Sequence, residues 1–303
     1  MDKTDTIINI KKTYSLDDMF CLLDKIKDIN ILVVGDCIID EYQYGVTLGK
    51  SGKSPIVAFQ EEKKEIYEGG ILAIYNHLKD FCNVECFTGN KKIIKRRYID
   101  NNQKIFETYR YKDNNKYIDI SKPISEYDMV LIADFGHGFI DKKLQETLES
   151  ESKYIALNTQ LNAGNMGMNT INKYTHRNYI SIDFIELRLA FSNQFDSIED
   201  IIKSKFHHET VSITAGREGV FLYRNNELTH VPALAENVVD AIGAGDAYLS
   251  ITSPLAYIKA SLPIIGLIGN VAGAIACTYS GNSEYMTRKK IKGFLEDLYG
   301  KDN

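Results

Sequence analysis

The sequence predicts an α/β protein in three layers, a mostly parallel sheet held between helices, and three observations carry that expectation. Short apolar runs recur at Ile31–Val34, Met129–Ala133, Tyr154–Leu157, Tyr179–Ile182 and Thr210–Thr214, with helical segments between them, the alternation expected of β-α-β units. The first run, Ile31-Leu32-Val33-Val34, is apolar at every position, as a strand covered on both faces must be. The chain has 303 residues, 44% hydrophobic and 25% charged, which is ample for a core and close to the globular average.

Taken in order, Ser15–Lys27 reads as a short amphipathic helix. Leu16, Met19, Phe20, Leu23 and Ile26 share one face, and Ser15 stands as N-cap. It belongs to an N-terminal extension, residues 1–28, ahead of a main domain, residues 29–303. After the first strand, Asp40–Leu48 and Ile56–Tyr67 read as a partly exposed antiparallel pair, with Pro55 and a Gly/Lys/Ser loop between them. Arg97–Ile99 and Ile105–Tyr111 form a second pair, turning at Asn101-Asn102. Together, over about 40–68 and 95–112, they form a small β-sheet lid on the main sheet. A helix (Ile71–Phe81) and a strand (Val84–Thr88) follow Gly69-Gly70. Near the C-terminus, Gly219–Tyr223 and Leu228–Val231 form a hairpin around Asn225-Asn226. Three helices come last, Gly245–Ile258, Pro263–Tyr279 and Arg288–Tyr299, the middle one bearing Gly266, Gly269 and Gly273 for close backbone approach.

Lys and Arg number 36 against 41 Asp and Glu, a net charge of -5 that argues against a general nucleic-acid binder. Five cysteines, with Cys82 and Cys86 the closest pair, complete no four-ligand zinc site and fit a reduced, cytoplasmic chain. The N-terminus has no apolar core of a signal peptide, and no stretch of about 18 apolar residues predicts a membrane span. Gly49-Lys50-Ser51 and Gly52-Lys53-Ser54 resemble the end of a P-loop, but the glycine that motif requires is Tyr44 or Thr47 here. Asp134-Phe135-Gly136 spells a protein-kinase motif without the catalytic loop that accompanies it.

The most informative stretch is Asp240-Ala241-Ile242-Gly243-Ala244-Gly245-Asp246, where two glycines flank a small residue at the start of a helix. A helix N-terminus holds unpaired N–H donors and a partial positive charge, and Gly243 and Gly245 leave them open to a phosphate. Asp246 in the first turn suits a base that activates an attacking hydroxyl. A plain glycine turn, with Asp246 favouring the helix dipole, explains the same residues.

The box Gly243-Ala244-Gly245-Asp246 resembles the signature of the ribokinase-like (PfkB) carbohydrate kinases, and correspondences in order extend the resemblance over about Asn30–Tyr299. Gly35-Asp36, Asp40, Tyr42 and Tyr44-Gly45 are similar to the opening of the heptose-7-phosphate kinase branch. The resemblance implies a ribokinase-like fold. It also implies transfer of the γ-phosphoryl of ATP, with Mg2+, to a hydroxyl of a sugar or sugar phosphate, Asp246 being general base and the Gly243, Ala244 and Gly245 amides stabilising the transferring group. It implies sugar contacts from Asp36 and Asp40, for which a solvent-facing loop carboxylate is the competing reading of Asp40, and from Gly69, Gly70 and Asn76. Lys95 and Arg97, on one face if they lie in a strand, would meet a phosphate already on the sugar; Arg110 is a weaker candidate. Asn158, Asp183, Thr214, Gly216, Gly219 and Asn270 fall at ATP-binding positions, and Glu186 at one that organises magnesium through water. Gly281-Asn282-Ser283 matches a loop that in some relatives binds a monovalent cation.

Three positions depart from the family pattern: Ala73 and Asp183 where Asn is usual, and His137 where the heptose branch has Lys. They motivate the alternative of a non-catalytic nucleotide- or sugar-binding relative. Asn162, Asn165 and Asn169 read as turn formers, and His77 and His207-His208 as structural. The expected partners are a small sugar or sugar phosphate and, because flap strands in this family pair across dimers, a second copy of the chain; no nucleic acid or membrane is expected. A nucleotidyltransferase partner, docked on the N-terminal helix, is a further expectation.

Overall fold

The computed structural model describes residues 3–113 and 120–300; Met1, Asp2 and residues 301–303, at the ends of the two expected segments, lie outside them. In chain order the helices and strands are α1 (Lys3–Thr13), α2 (Leu16–Lys25), β1 (Asn30–Gly35), β2 (Cys37–Lys50), β3 (Val57–Gly70), α3 (Ile71–Leu78), β4 (Asn83–Phe87), β5 (Lys91–Asp100), β6 (Gln103–Asp113), β7 (Met129–Asp134), α4 (Lys142–Glu151), β8 (Ile155–Thr159), β9 (Tyr179–Asp183), α5 (Phe184–Ala190), α6 (Ile198–Lys205), β10 (Thr210–Thr214), β11 (Val220–Arg224), β12 (Glu227–Val231), α7 (Ala244–Tyr257), α8 (Leu262–Ala276) and α9 (Arg288–Gly300).

Eight strands form the main sheet in the order β12-β11-β10-β9-β8-β7-β1-β4, parallel from β10 to β4 and antiparallel only across the β10-β11-β12 edge. The strands alternate between two cores. Ile31 and Val33 of β1 pack with Leu249, Ile265 and Leu295 of α7, α8 and α9, whereas Leu32 and Val34 pack with Leu148, Leu187 and Ile201 of α4, α5 and α6. The sheet thus lies between two helical layers, as the unbroken apolar run requires. Gly266 and Gly269 of α8 allow this packing: a Cβ on Gly269 would stand 2.3 Å from the Tyr248 ring of α7, and one on Gly266 2.6 Å from Val231. Gly273 makes no such approach, its position meeting only the Ala244 carbonyl at 3.8 Å.

The second sheet, β3-β2-β5-β6, is the expected lid. It grows directly out of the main sheet, because one residue, Asp36, separates β1 from β2. Asn101 and Asn102, with φ of 48° and 62°, make the two-residue turn between β5 and β6 that Asn tolerates best.

The N-terminal extension is part of the main body. Ser15 and Asp18 form a reciprocal capping box on α2, and Met19, Leu23 and Ile26 are buried in the same core as Ile31 and Leu295. Arg288 also bonds Asp24 at 2.9 Å, and Tyr299 donates to the Tyr14 carbonyl. The apolar face of α2 is therefore used within the chain, which leaves its outer, polar face for any docked partner. A preceding helix, α1, was not legible from its weakly patterned sequence, and Ile10 joins it to this core.

Candidate active site

Between the lid and the C-terminal ends of the parallel strands lies a cavity of about 220 Å³. The main body contributes Gly243, Gly245 and Asp246 from the start of α7, with Ala241 and Ile242 before it, Phe135 and Gln160 from strand ends, and Asn282. The lid contributes Ile38, Asp40, Gly70, Lys95 and Arg97.

The α7 end of this cavity is left open by its own sequence. Gly243 caps the helix at φ +83°, a left-handed conformation that favours glycine, and no side chain bonds the first-turn amides. A Cβ at Gly243 would collide with Asn282 Oδ1 at 2.3 Å, so the loop can seat only glycine there, whereas the space beside Gly245 is empty. Donors and partial positive charge thus face the cavity. Asp246, one residue on, is partly exposed into it. Burial, with the charges of Asp40 and Glu186 nearby, pushes its carboxyl up to about 7, while Lys95 pulls the other way.

The lid brings cations. Lys95 and Arg97 share the inward face of β5, as two-residue spacing dictates, and Arg96 points away to Glu41 at 2.6 Å. Arg97 is already paired, with Asp40 at 2.5 Å and Glu107 at 3.6 Å. Lys95 is 6% exposed and has no ion-pair partner among the described residues; its ammonium sits 5.5 Å from the Tyr109 ring centroid. Burial lowers its pKa, the cost of an ammonium held out of water. Gly69 makes room for this arrangement, since a Cβ there would stand 2.1 Å from Asp40 Oδ2.

Other candidates stand outside the cavity wall. Asp36 is buried, its oxygens accept the His137 and Phe139 amides, and burial pushes its carboxyl up to about 6. Asn76 donates to Glu68, Asn158 to the Ser181 carbonyl, and Asn270 to the carbonyls of Val231 and Pro232, bonds that tie elements together. Thr214 ends β10, and Gly216 and Gly219 bracket the turn that follows it. Gly219, at φ +101°, passes against the Val231 carbonyl, which a Cβ would meet at 2.2 Å. Asp183 and Glu186 form the capping box of α5, and burial pushes the Glu186 carboxyl up to about 7. Ala73 is buried, Asn162, Asn165 and Asn169 bond their own loop and the Phe135 and Asp134 carbonyls, and burial holds the His137 imidazole down at about 4, neutral.

The sequence assigned no role to Asp240, nor to Gln160 and Ile38, which line the cavity. Asp240 had a signal: an Asp whose side chain accepts the amide two residues on, here Ile242 at 3.1 Å, commonly opens a turn. Its carboxylate also receives Lys104 at 2.7 Å, Tyr42 at 2.6 Å and the Gly281 amide at 3.1 Å. The carboxylate beside the Gly281–Ser283 loop is thus fully bonded, its charge met by a lysine, so this donor set does not suit the monovalent cation expected there.

A family model described as pfkB family carbohydrate kinase matches residues 89–289. Among curated relatives, the bifunctional protein HldE of Helicobacter acinonychis is 24% identical over 265 residues, covering 73% of this chain and 56% of the relative. That of Nitratiruptor sp. is 23% identical over 331 residues, covering 90% and 70%. The chain spans about half the length of the first of these relatives. Among solved structures, Arabidopsis thaliana ribokinase complexed with ribose and ATP superposes with a TM-score of 0.66 at 14% identity, covering 90% of this chain and 99% of that one. Methanocaldococcus jannaschii nucleoside kinase gives 0.63 at 14%, covering 89% and 99%.

Proposed function

The chain belongs to the pfkB family of carbohydrate kinases, and from that premise we propose that it transfers the γ-phosphoryl group of ATP to a hydroxyl of a sugar phosphate of the heptose-phosphate type. The observation that carries the reading is the buried Lys95 ammonium, without an ion-pair partner among the described residues, in the same cavity as Asp246 and the uncapped α7 amides. A cation held out of water with no carboxylate in direct contact is stabilised by an anionic ligand. Two anion-seeking features at one cavity, with a carboxylate near them, fit a phosphorylated acceptor on the Lys95 side and a nucleotide phosphate at α7.

In this reading Asp246 takes the proton of the acceptor hydroxyl as its oxygen bonds to the γ-phosphorus. The bond from that phosphorus to the ADP oxygen breaks, and the open amides at Gly243–Gly245 stabilise charge on the transferring oxygens. Arg97 holds Asp40 in place against the acceptor. When bound, Mg2+ neutralises charge on the ATP phosphates. Glu186, with each oxygen already accepting a backbone amide, suits contact with the ion's waters better than direct ligation. Asp36, Gly69, Gly70 and Asn76 shape the acceptor side, and the Asn158, Asp183, Thr214–Gly219 and Asn270 edge faces the nucleotide. A homodimer through the exposed apolar residues of the lid, such as Leu48, Val57 and Ile66, and a nucleotidyltransferase partner remain part of the proposal.

The test is ADP release measured over a panel of heptose, hexose and pentose phosphates beside the same sugars unphosphorylated. The phosphorylated acceptor should be preferred. Lys95→Met should raise its KM about tenfold or more, the scale of one charge-assisted contact, and leave the KM of the free sugar unchanged. Equal use of both forms by the wild-type chain would overturn the reading.

A further inference from the structure

Asp240 is 8% exposed and stands where three segments meet: the lid, the Ala241–Gly245 turn and the loop at Gly281. Its Oδ1 accepts from Lys104 Nζ and the Ile242 amide, and its Oδ2 from the Tyr42 hydroxyl and the Gly281 amide. Four donors occupy the roughly four acceptor sites a carboxylate offers. Two of them belong to the lid and two to the cavity loops. Burial alone would raise this carboxyl, but Lys104, Tyr42 and the Ile242 amide outweigh it and hold it below the usual carboxylate range.

Lys104 is the donor that carries charge. It lies just past the Asn101-Asn102 turn, its ammonium 5.8 Å from the Tyr42 ring centroid as well as bonded to Asp240. The Tyr42 ring in turn packs against Gly281, where a Cβ would stand 3.1 Å from its hydroxyl. The neighbouring Asn282 carries the oxygen that abuts Gly243. A continuous set of contacts therefore runs from the tip of the lid to the amides at the start of α7.

We propose that Lys104 is a positioning residue for phosphoryl transfer: through Asp240 its ammonium fixes the seat of the lid and the geometry of the Gly243–Gly245 amides as one unit. Its role rests on the kinase reading above. It also takes the place of a small inorganic cation beside this carboxylate, so turnover of the wild-type chain should not depend on K+ or NH4+.

The experiment compares wild type, Lys104→Met and Lys104→Arg. Hydrogen exchange of the unliganded protein, followed by mass spectrometry, needs no knowledge of the acceptor. In Lys104→Met the amides of 241–245 and 281–283 should exchange about tenfold faster together with the 100–104 hairpin, the scale expected for losing a charge-assisted bond; Lys104→Arg should stay near wild type. In turnover, kcat of Lys104→Met should fall about tenfold and be restored in part by NH4+ or K+ at matched ionic strength, but not by tetramethylammonium. Faster exchange confined to the hairpin, or a loss that no small cation restores, would overturn the proposal. Absence of ADP release from the wild-type chain would sink the kinase reading instead and leave the exchange result standing.

Discussion

Two helices, α5 and α7, begin at the same edge of the main sheet, and each carries an acidic residue in its first turn. They end up with opposite properties. At α5 the Asp183 side chain accepts the Ile185 amide at 2.8 Å, and the Asp183 amide donates to Glu186 at 2.8 Å, so the helix start is sealed by its own residues. At α7 the cap is Gly243, which has no side chain to offer, and Asp246 bonds none of the preceding amides. Orphan donors open both helices, α5 of seven residues and α7 of fourteen; at α5 a self-supplied acceptor takes them up, and at α7 no side chain does.

The contrast breaks most readily at Asp246. In Asp246→Asn the shape is kept and the base is lost, so kcat should fall by about 10² to 10⁴. Nucleotide affinity should persist, and the melting temperature should hold or rise, because a carboxylate crowded by Asp40 and Glu186 has been neutralised. Turnover near wild type would remove Asp246 from the chemistry. Next in size is Gly245→Ala. The space beside Gly245 is open, so the protein should fold normally, yet the methyl group would project where a phosphate must approach. A kcat loss on the order of 10² is expected, the effect of one compromised oxyanion donor, and unchanged kinetics would mean that this end of the helix meets no anion.

A pH profile sharpens the comparison further. The base must be ionised, and its carboxyl sits at about 7, so kcat/KM should rise with pH through that region. Glu186 lies at about 7 as well and interacts with Asp246, so the limb belongs to the pair rather than to either residue. Glu186→Gln removes a negative neighbour and should move the limb to lower pH. Lys95→Met removes a positive one and should move it up. Shifts in the reverse directions would contradict the electrostatics.

The ends of this system differ in how far the sequence announced them. The parallel strands were legible because covering both faces forces an unbroken apolar run, and the lid hairpin because Asn-Asn tolerates the left-handed turn. The Gly243–Asp246 box was legible as a helix start, because glycine opens one without capping it, although a plain turn uses the same residues. Asp183 and Glu186 were harder: the D-x-x-E spacing of a capping box coincides with the spacing that the family resemblance assigns to nucleotide and magnesium contacts, so the pattern alone could not announce the cap. Asp240, Lys104 and Tyr42 lie far apart in the chain, and no local pattern marks a contact 136 residues long such as Lys104 to Asp240. Asp36, Asn76 and Asn270 have the residue types of ligands, and their hydrogen bonds inside the protein were invisible until the strands carrying their partners were in place.

The smallest expected effect is the most discriminating for α5. Asp183→Ala deletes the acceptor of the Ile185 amide while the bond from the residue-183 amide to Glu186 survives, so the helix loses half of its cap. That costs about 1 kcal/mol, a drop of roughly 2–4 °C in melting temperature for a chain of this size. Turnover should change little, because the sealed end offers no free donor and Glu186 keeps its second bond, from Leu161 at 2.8 Å. The opposite split, lost turnover at an unchanged melting temperature, would make the α5 terminus part of the reacting machinery. The two helix starts would then differ in degree, and the self-supplied acceptor would no longer explain why only one of them is open to an anion.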